Sequence, residues 1–250
     1  MKIFYFLFFI LLLFSCATRK DIVYFQGNEQ VNTNNYYTVR FKKDDFISIY
    51  ISGIDESSYK LFNSPQSVTN LNKGYTNGIP PINGYLIDVN GNIDFPVIGT
   101  IKLEGLSRFE ATELLKNKLK DYLQNPVISI QIQNYRVTVL GEVRNPGTFT
   151  IPNEKISIIE SLGLAGDLTI NAVRNNIKVI REENNVKKEY KIDITKKDFI
   201  ESPVFYLNQN DIVYIEPNRA KINSSMVSSA AGVFISIATL LVTTINTISK

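Results

Sequence analysis

The sequence predicts an α+β protein: two small sheet-plus-helix modules followed by a C-terminal amphipathic membrane helix. Three observations carry that expectation. Short runs of alternating apolar and polar residues recur between positions 37 and 215, two helix-opening Ser-x-x-Glu patterns interrupt them, and 23 uncharged residues (226–248) follow. At 250 residues, 44% of them hydrophobic and 20% charged, the chain can bury a sizeable core. Its missing residue types narrow the chemistry. There is no histidine, and the one cysteine is Cys16, so His-based nucleophilic sites, His-ligated zinc, internal disulfides and thiolate metal cages are excluded. What remains is chemistry run by carboxylates, Lys, Tyr or Ser, or no chemistry at all.

The elements follow in order. Lys2 and an apolar run over 3–14 have the layout of a secretory signal peptide (1–15). That run ends Leu13-Phe14-Ser15-Cys16, which resembles the lipobox of bacterial lipoproteins. The resemblance implies cleavage before Cys16 and lipid attachment, palmitate included, at its sulfur and new amine. Ala17, rather than Asp, follows the cysteine, and by the same resemblance this favours the outer membrane. Residues 16–35 read as a lipidated tether. The formal net charge of +3 gives no nucleic-acid stripe.

Structure is expected from residue 36. Tyr37, Val39 and Phe41 alternate with polar residues, as do Ile47, Ile49 and Ile51, predicting two strands around Lys42-Lys43-Asp44-Asp45. Residues 52–84, rich in Ser, Asn, Gly and Pro, read as a long loop. Asp88, Asn90 and Gly91 predict a hairpin turn between strands at 85–89 and 93–95. Pro96 and Gly99 lie in continued extended chain. Ser107 and Glu110 open a helix to about 123, burying Ala111, Leu114, Leu115, Leu119 and Tyr122, and Val127 to Ile132 alternate along a further strand.

The second module begins near 135. A strand over 136–140 leads into Gly141-Glu142-Val143-Arg144-Asn145-Pro146-Gly147, where Pro146 and Gly147 predict a type II turn. A strand at 149–151, a helix from Ser157 to Ala165 stopped by Gly166, a hairpin of 177–180 with 186–192 and a last strand at 212–215 complete it. The two halves thus share a weak internal repeat of Gly-Thr, strand and capped helix. The basic run over 174–197 reads as a solvated hairpin, with contact to an acidic glycan as the alternative. Asp88, Asp94, Glu104, Glu110 and Glu142 are the carboxylates that a glycosidase reading would use, although their turn and cap positions argue for structural roles.

In the uncharged C-terminal stretch, Ser225, Ser228, Ser229, Gly232, Ser236, Thr239, Thr243, Asn246 and Thr247 fall within about 60° of one direction on a helical wheel. A helix over 225–248 is long enough to cross a bilayer. Two uses of the stripe stay open: close packing between helices, or the lining of a water-filled passage in a ring. Both imply self-association.

The string IDVNGNIDFPVIGTIKLEGLSRFEATELLKNKL at 87–119 closely resembles the export domain of outer-membrane polysaccharide export lipoproteins. Residues 37–49 look like the opening of that domain, with Lys43-Asp44-Asp45 in place of its usual Gly-Asp. Arg136 to Val143, Pro146-Gly147, Leu162 to Gly166 and Ile212 to Pro217 are similar to the soluble-ligand-binding β-grasp domain that follows it. The resemblance implies domains at 36–134 and 135–217, and an oligomeric conduit for capsular or exopolysaccharide, for which no catalytic residue, metal or cofactor is expected. Its implied partners are the polysaccharide chain, membrane lipid, further copies of itself in a ring, and an inner-membrane polysaccharide co-polymerase or tyrosine kinase. The main body would lie in the periplasm, with one β-grasp domain where some relatives have two. The alternative is a periplasm-facing glycan-binding or scaffold lipoprotein without a pore.

Overall fold

The computed structural model describes residues 19–28, 30, 37–53, 56–63, 84–183 and 186–227, with eight more positions between 232 and 247. Cys16, the signal segment, most of the 52–84 loop, Ser228, Ser229 and Asn246 lie outside these residues.

The chain is α+β. In the N-terminal module, β1 (Phe46–Ser52) is the centre of an antiparallel sheet in the order β2-β1-β5, with β2 at Tyr85–Leu86 and β5 at Val127–Ile132. Register explains its core: Ile47, Ile49 and Ile51 pair with Ile132, Ile130 and Ile128, so six isoleucines share one face. A four-residue helix, α1 (Glu56–Tyr59), follows β1. Helix α2 (Arg108–Leu119) packs on β5 through buried Ala111, Leu115 and Leu119, spaced four apart. Its capping box is formed, with Ser107 N–H donating to Glu110 at 2.7 Å and Glu110 N–H to Ser107 Oγ at 3.2 Å.

Several expectations fail here for physical reasons. Residues 37–41 form no strand: Phe41 exchanges its backbone bonds with the 105–106 turn, and Arg40 makes only an isolated bridge to Ser107. The predicted 85–95 hairpin is absent because β2 pairs with β1. Asn90 and Gly91 instead sit in a turn closed by Asp88, whose Oδ1 accepts the N–H groups of Asn90 and Asn92 at 2.8 Å each. The hairpin falls one step later, between β3 (Asn92–Phe95) and β4 (Gly99–Lys102). Pro96 has no N–H for a ladder, so the extended chain stops there and reverses through Val97 at φ 69°. The α2 helix ends at Leu119, earlier than expected, which leaves Tyr122 57% exposed and buries Leu123 instead.

The C-terminal module is a five-stranded mixed sheet, β7-β6-β10-β8-β9. Its strands are β6 (Arg136–Gly141), β7 (Gly147–Thr150), β8 (Ile177–Glu183), β9 (Val186–Ile192) and β10 (Ile212–Ile215), with β10 parallel to β6. Helix α3 (Ile158–Leu164) packs on β6 and starts with a second capping box, Ser157 with Glu160. The expected left-handed position at Gly147 is not there. Gly147 opens β7 opposite Val139, and Gly141 takes the positive φ, 97°. A Cβ on Gly141 would lie 1.9 Å from the Ile215 carbonyl oxygen, so only glycine lets β6 meet β10 here.

The basic run is solvated only in part. The β9 lysines are exposed, but Arg174 and Arg181 are 6% and 5% exposed. The tether expectation also fails over 19–28, where the chain packs on the C-terminal module: Phe25 and Gln26 N–H groups donate to Ile194 and Thr195 carbonyls at 3.2 and 2.7 Å.

After β10, helix α4 (Arg219–Val227) begins six residues before the 225 start that the sequence suggested. Among the described residues no helix is long and apolar enough to cross a membrane, so the expected span at 225–248 gains no support here. The described stripe residues Ser225, Gly232, Ser236, Thr239 and Thr243 are helical and exposed. Ser236 Oγ donates to the Gly232 carbonyl at 2.8 Å, Thr243 Oγ1 to Thr239 at 3.0 Å and Thr247 Oγ1 to Thr243 at 2.6 Å. These three hydroxyl protons are satisfied within their own helix.

Candidate functional site

The two modules meet around the loop that carries Leu207 to Asp211. Arg181 faces inward on β8 beside Ile177 and Val179, and a buried guanidinium needs a carboxylate. Asp211 supplies it. Arg181 Nε and Nη2 donate to Asp211 Oδ2 at 3.0 and 2.7 Å, Nε lies 3.1 Å from Oδ1, and Nη1 and Nη2 also donate to the carbonyls of Pro203 and Tyr206. Asp211 Oδ2 also accepts the Asn208 N–H at 2.8 Å, which closes the loop. Burial drives the Asp211 carboxyl upward, and the hydrogen bonds and charge of Arg181 oppose that rise.

Two tyrosines tie this loop to the rest. Tyr135 donates to the Leu207 carbonyl at 2.5 Å, and Tyr37 donates to the same carbonyl at 3.0 Å and to Asn208 Oδ1 at 2.6 Å. Burial raises both phenols above their ordinary range. Tyr37 stacks on Tyr206 at 5.0 Å between centroids, and Lys155 lies 4.0 Å over the Tyr206 ring. On the other side of the junction Glu154 accepts the Ile132 N–H at 2.6 Å.

Between these contacts lies a cleft of about 220 Å³ lined by Tyr37, Arg40, Lys42, Asp45, Asn208 and Gln209, among others. Asp45 is 2% exposed and accepts the Lys42 N–H at 2.8 Å. Burial pushes its carboxyl up to about 6, with Glu154 and Asp44 adding to the rise and Lys42 opposing it. The amide oxygen of Gln209 is buried without a hydrogen-bond partner. The cleft is therefore lined by basic, amide and aromatic side chains, with the Asp45 carboxylate and the Gln209 amide oxygen buried in its wall. Among the described residues no group of carboxylates could hold a metal ion.

The residues singled out from sequence lie elsewhere. Asp88, Asn90, Gly91, Pro96 and Gly99 shape two turns of the N-terminal module, and Gly141, Pro146 and Gly147 shape the β6–β7 connection. The carboxylates of the glycosidase reading are engaged: Asp94 accepts from Thr100, Glu104 pairs with Lys102, Glu110 caps α2 and Glu142 accepts from Thr169. Sequence reasoning missed the junction, whose partners lie 72 and 170 positions apart for Tyr135 and Tyr37 with Leu207. One signal was present. An arginine at an inward position of an alternating strand, Ile177-x-Val179-x-Arg181, announces a buried ion pair.

The chain is thus a sheet-plus-helix module followed by a mixed-sheet module, with a polar cleft where they meet. Two family models match consecutive parts of the chain: polysaccharide biosynthesis/export protein over residues 33–133, and SLBB domain over 135–215. The chain belongs to the polysaccharide export family, which is one of transport proteins and not of enzymes. It is similar to the EPS I polysaccharide export outer membrane protein EpsA of Ralstonia solanacearum, 29% identical over 42% of this chain and 29% of that protein. The EpsA of Ralstonia nicotianae is 30% identical over 36% of this chain and 25% of its own length. The polysialic acid transport protein KpsD of Escherichia coli is 36% identical over 25% of this chain, and that match spans 12% of KpsD. The matches thus cover less than a third of each relative. The two EpsA names place the family, and this chain with it, at the outer membrane.

Proposed function

We propose that this chain is a lipid-anchored subunit of an oligomeric conduit that exports capsular or exopolysaccharide across the outer membrane. The observation that carries the reading is the tandem of an export module and an SLBB module, in the order that polysaccharide export proteins imply. Attachment through Cys16, a membrane-crossing 225–248 helix and an inner-membrane co-polymerase or tyrosine kinase partner complete the reading. The junction cleft is the place on each subunit for contact with a passing sugar. Deletion of the gene should abolish surface polysaccharide, with polymer retained inside the cell and display restored by the wild-type chain. Normal display in the deletion strain would refute the reading.

A second reading keeps the lipoprotein and the glycan contact but has no pore. The hydroxyls of Ser236, Thr243 and Thr247, bonded back into their own helix, favour it because such a helix can sit in lipid alone. Bulky or charged probes at Ser236, Thr239 or Thr243 separate the two. They block export if that face lines a passage and leave it intact if the helix only anchors.

A further inference from the structure

Residues 19–26 strap the start of the described chain to the C-terminal module, and their position has a counterpart at the other terminus. Tyr24 donates to Asp167 at 2.8 Å, Phe25 packs on Phe199 at 5.3 Å between centroids, and Gln26 pairs in parallel with Lys196. The Tyr24 ring lies 5.7 Å from the Arg174 guanidinium. Buried Arg174 in turn donates to the carbonyls of Ala172 and Thr169, both at 3.0 Å. That 169–173 segment holds the root of α4. Ala172 bridges to Pro217, Val173 N–H donates to Glu216 at 2.9 Å, and Asn218 N–H donates to Asn171 at 2.7 Å. The strap and the root of α4 therefore meet on either side of one arginine.

Both chain directions away from this point lead to lipid-seeking sequence. Cys16 precedes Arg19 by three residues, a separation of at most about 10 Å even when extended. The other direction leads into the uncharged 226–248 segment. Around the meeting point, apolar side chains remain exposed: Val23 at 38%, Phe25 at 41% although it packs on Phe199, Ile170 at 67% and Ile222 at 41%. Arg19, Lys20, Arg219 and Lys221 are exposed beside them in sequence, with exposed Lys196 next to the strap as well; the exposed acids nearby are Asp21, Asp167, Asp198 and Glu201. Apolar tips flanked by cations are the composition of a surface that seats at a bilayer interface.

We infer that this face of the C-terminal module docks on the anionic headgroups of a lipid bilayer, with Val23, Phe25, Ile170 and Ile222 entering the interfacial zone. The inference rests on the reading of Cys16 and 226–248 as membrane anchors, and it adds which face of the folded body they draw to the membrane. The SLBB module then lies against the bilayer, held by its own residues as well as by the anchors.

The test uses the full chain carrying Cys16→Ser, with one cysteine introduced as Val23→Cys, Ile170→Cys or Val89→Cys. Each is labelled with an environment-sensitive fluorophore and mixed with vesicles of phosphatidylethanolamine and phosphatidylglycerol containing a headgroup-nitroxide lipid. Val89, 74% exposed in the N-terminal module, is the control. Quenching several-fold stronger at 23 and 170 than at 89 is expected. Changing Arg19, Lys20, Arg219 and Lys221 to Gln should weaken vesicle binding about fivefold per residue. Lys43→Gln and Lys102→Gln in the other module should leave binding unchanged. Equal quenching at all three positions, equal effects per residue of the two sets of basic residues, or no binding to the vesicles would each overturn the inference. Surface polysaccharide in cells is a separate readout, so loss of the docking face and loss of the export role are told apart.

Discussion

The buried carboxylate of Glu154, at φ 55°, accepts the backbone N–H of Ile132 at 2.6 Å and so fastens the last strand of one module to the other. Glu154 is 5% exposed, and Arg108 from α2 approaches its second oxygen at 3.7 Å. One side chain thereby touches β5, α2 and its own β7–α3 connection.

Glu154→Ala strands the Ile132 N–H and should cost about 1–3 kcal/mol. Glu154→Gln keeps an acceptor and should cost less. Thermal unfolding of both variants checks this, and a loss as large for Gln as for Ala would mean that the charge, not the hydrogen bond, holds the junction.

Asp45 makes stability depend on pH. Its carboxyl holds a proton up to about 6 in the folded chain against an ordinary 3.8. The folded state thus binds more protons between those values, so this residue's contribution falls as pH rises from about 4 to about 6 and is level above. The decline amounts to about 1–3 kcal/mol at most. Asp45→Asn keeps an acceptor for the Lys42 N–H and should flatten this part of the curve, as followed by urea midpoints at pH 4.5 and pH 7 (roughly either side of the transition).

Gly141 admits no side chain. Gly141→Ala combines a left-handed φ with an overlap against the Ile215 carbonyl and should cost about 3 kcal/mol or more. Gly147→Ala, at a strand residue with open space around it, should be nearly neutral. The contrast inverts the expectation drawn from the Pro146-Gly147 pair, and denaturant unfolding of the two variants measures it.

Arg181 and Asp211 have side chains 6% and 1% exposed. Removing one partner leaves a buried charge, so Arg181→Ala or Asp211→Ala should cost about 3–5 kcal/mol. The double change Arg181→Met with Asp211→Leu should recover part of that loss. Recovery in the double variant, read by calorimetry, distinguishes desolvation from a simple loss of packing.

The features that the sequence determined by itself are local. Ser107 and Ser157 cap their helices because Glu110 and Glu160 sit three residues on, and Ile128, Ile130 and Ile132 face inward because a strand alternates. The tandem of family-like motifs is equally a property of the chain read along its length. Other features depended on competition between distant segments. Asn90-Gly91 has the residues of a hairpin turn, yet β1 recruits Tyr85 and Leu86, and the hairpin forms beyond it. Tyr37, Val39 and Phe41 alternate like a strand, yet the ladder position beside β1 goes to β2 and β5. Arg181 lies in a run of charges and is buried because Asp211, 30 positions away, closes on it. The 19–26 strap, polar enough to read as a tether, is held by Phe199, Asp167 and Arg174, which no local pattern connects to it. Propensity and alternation act within a few residues. Which edge pairs, which charge is buried and where the chain's first described residues dock are set by the burial and hydrogen bonding of groups that only the folded chain brings together.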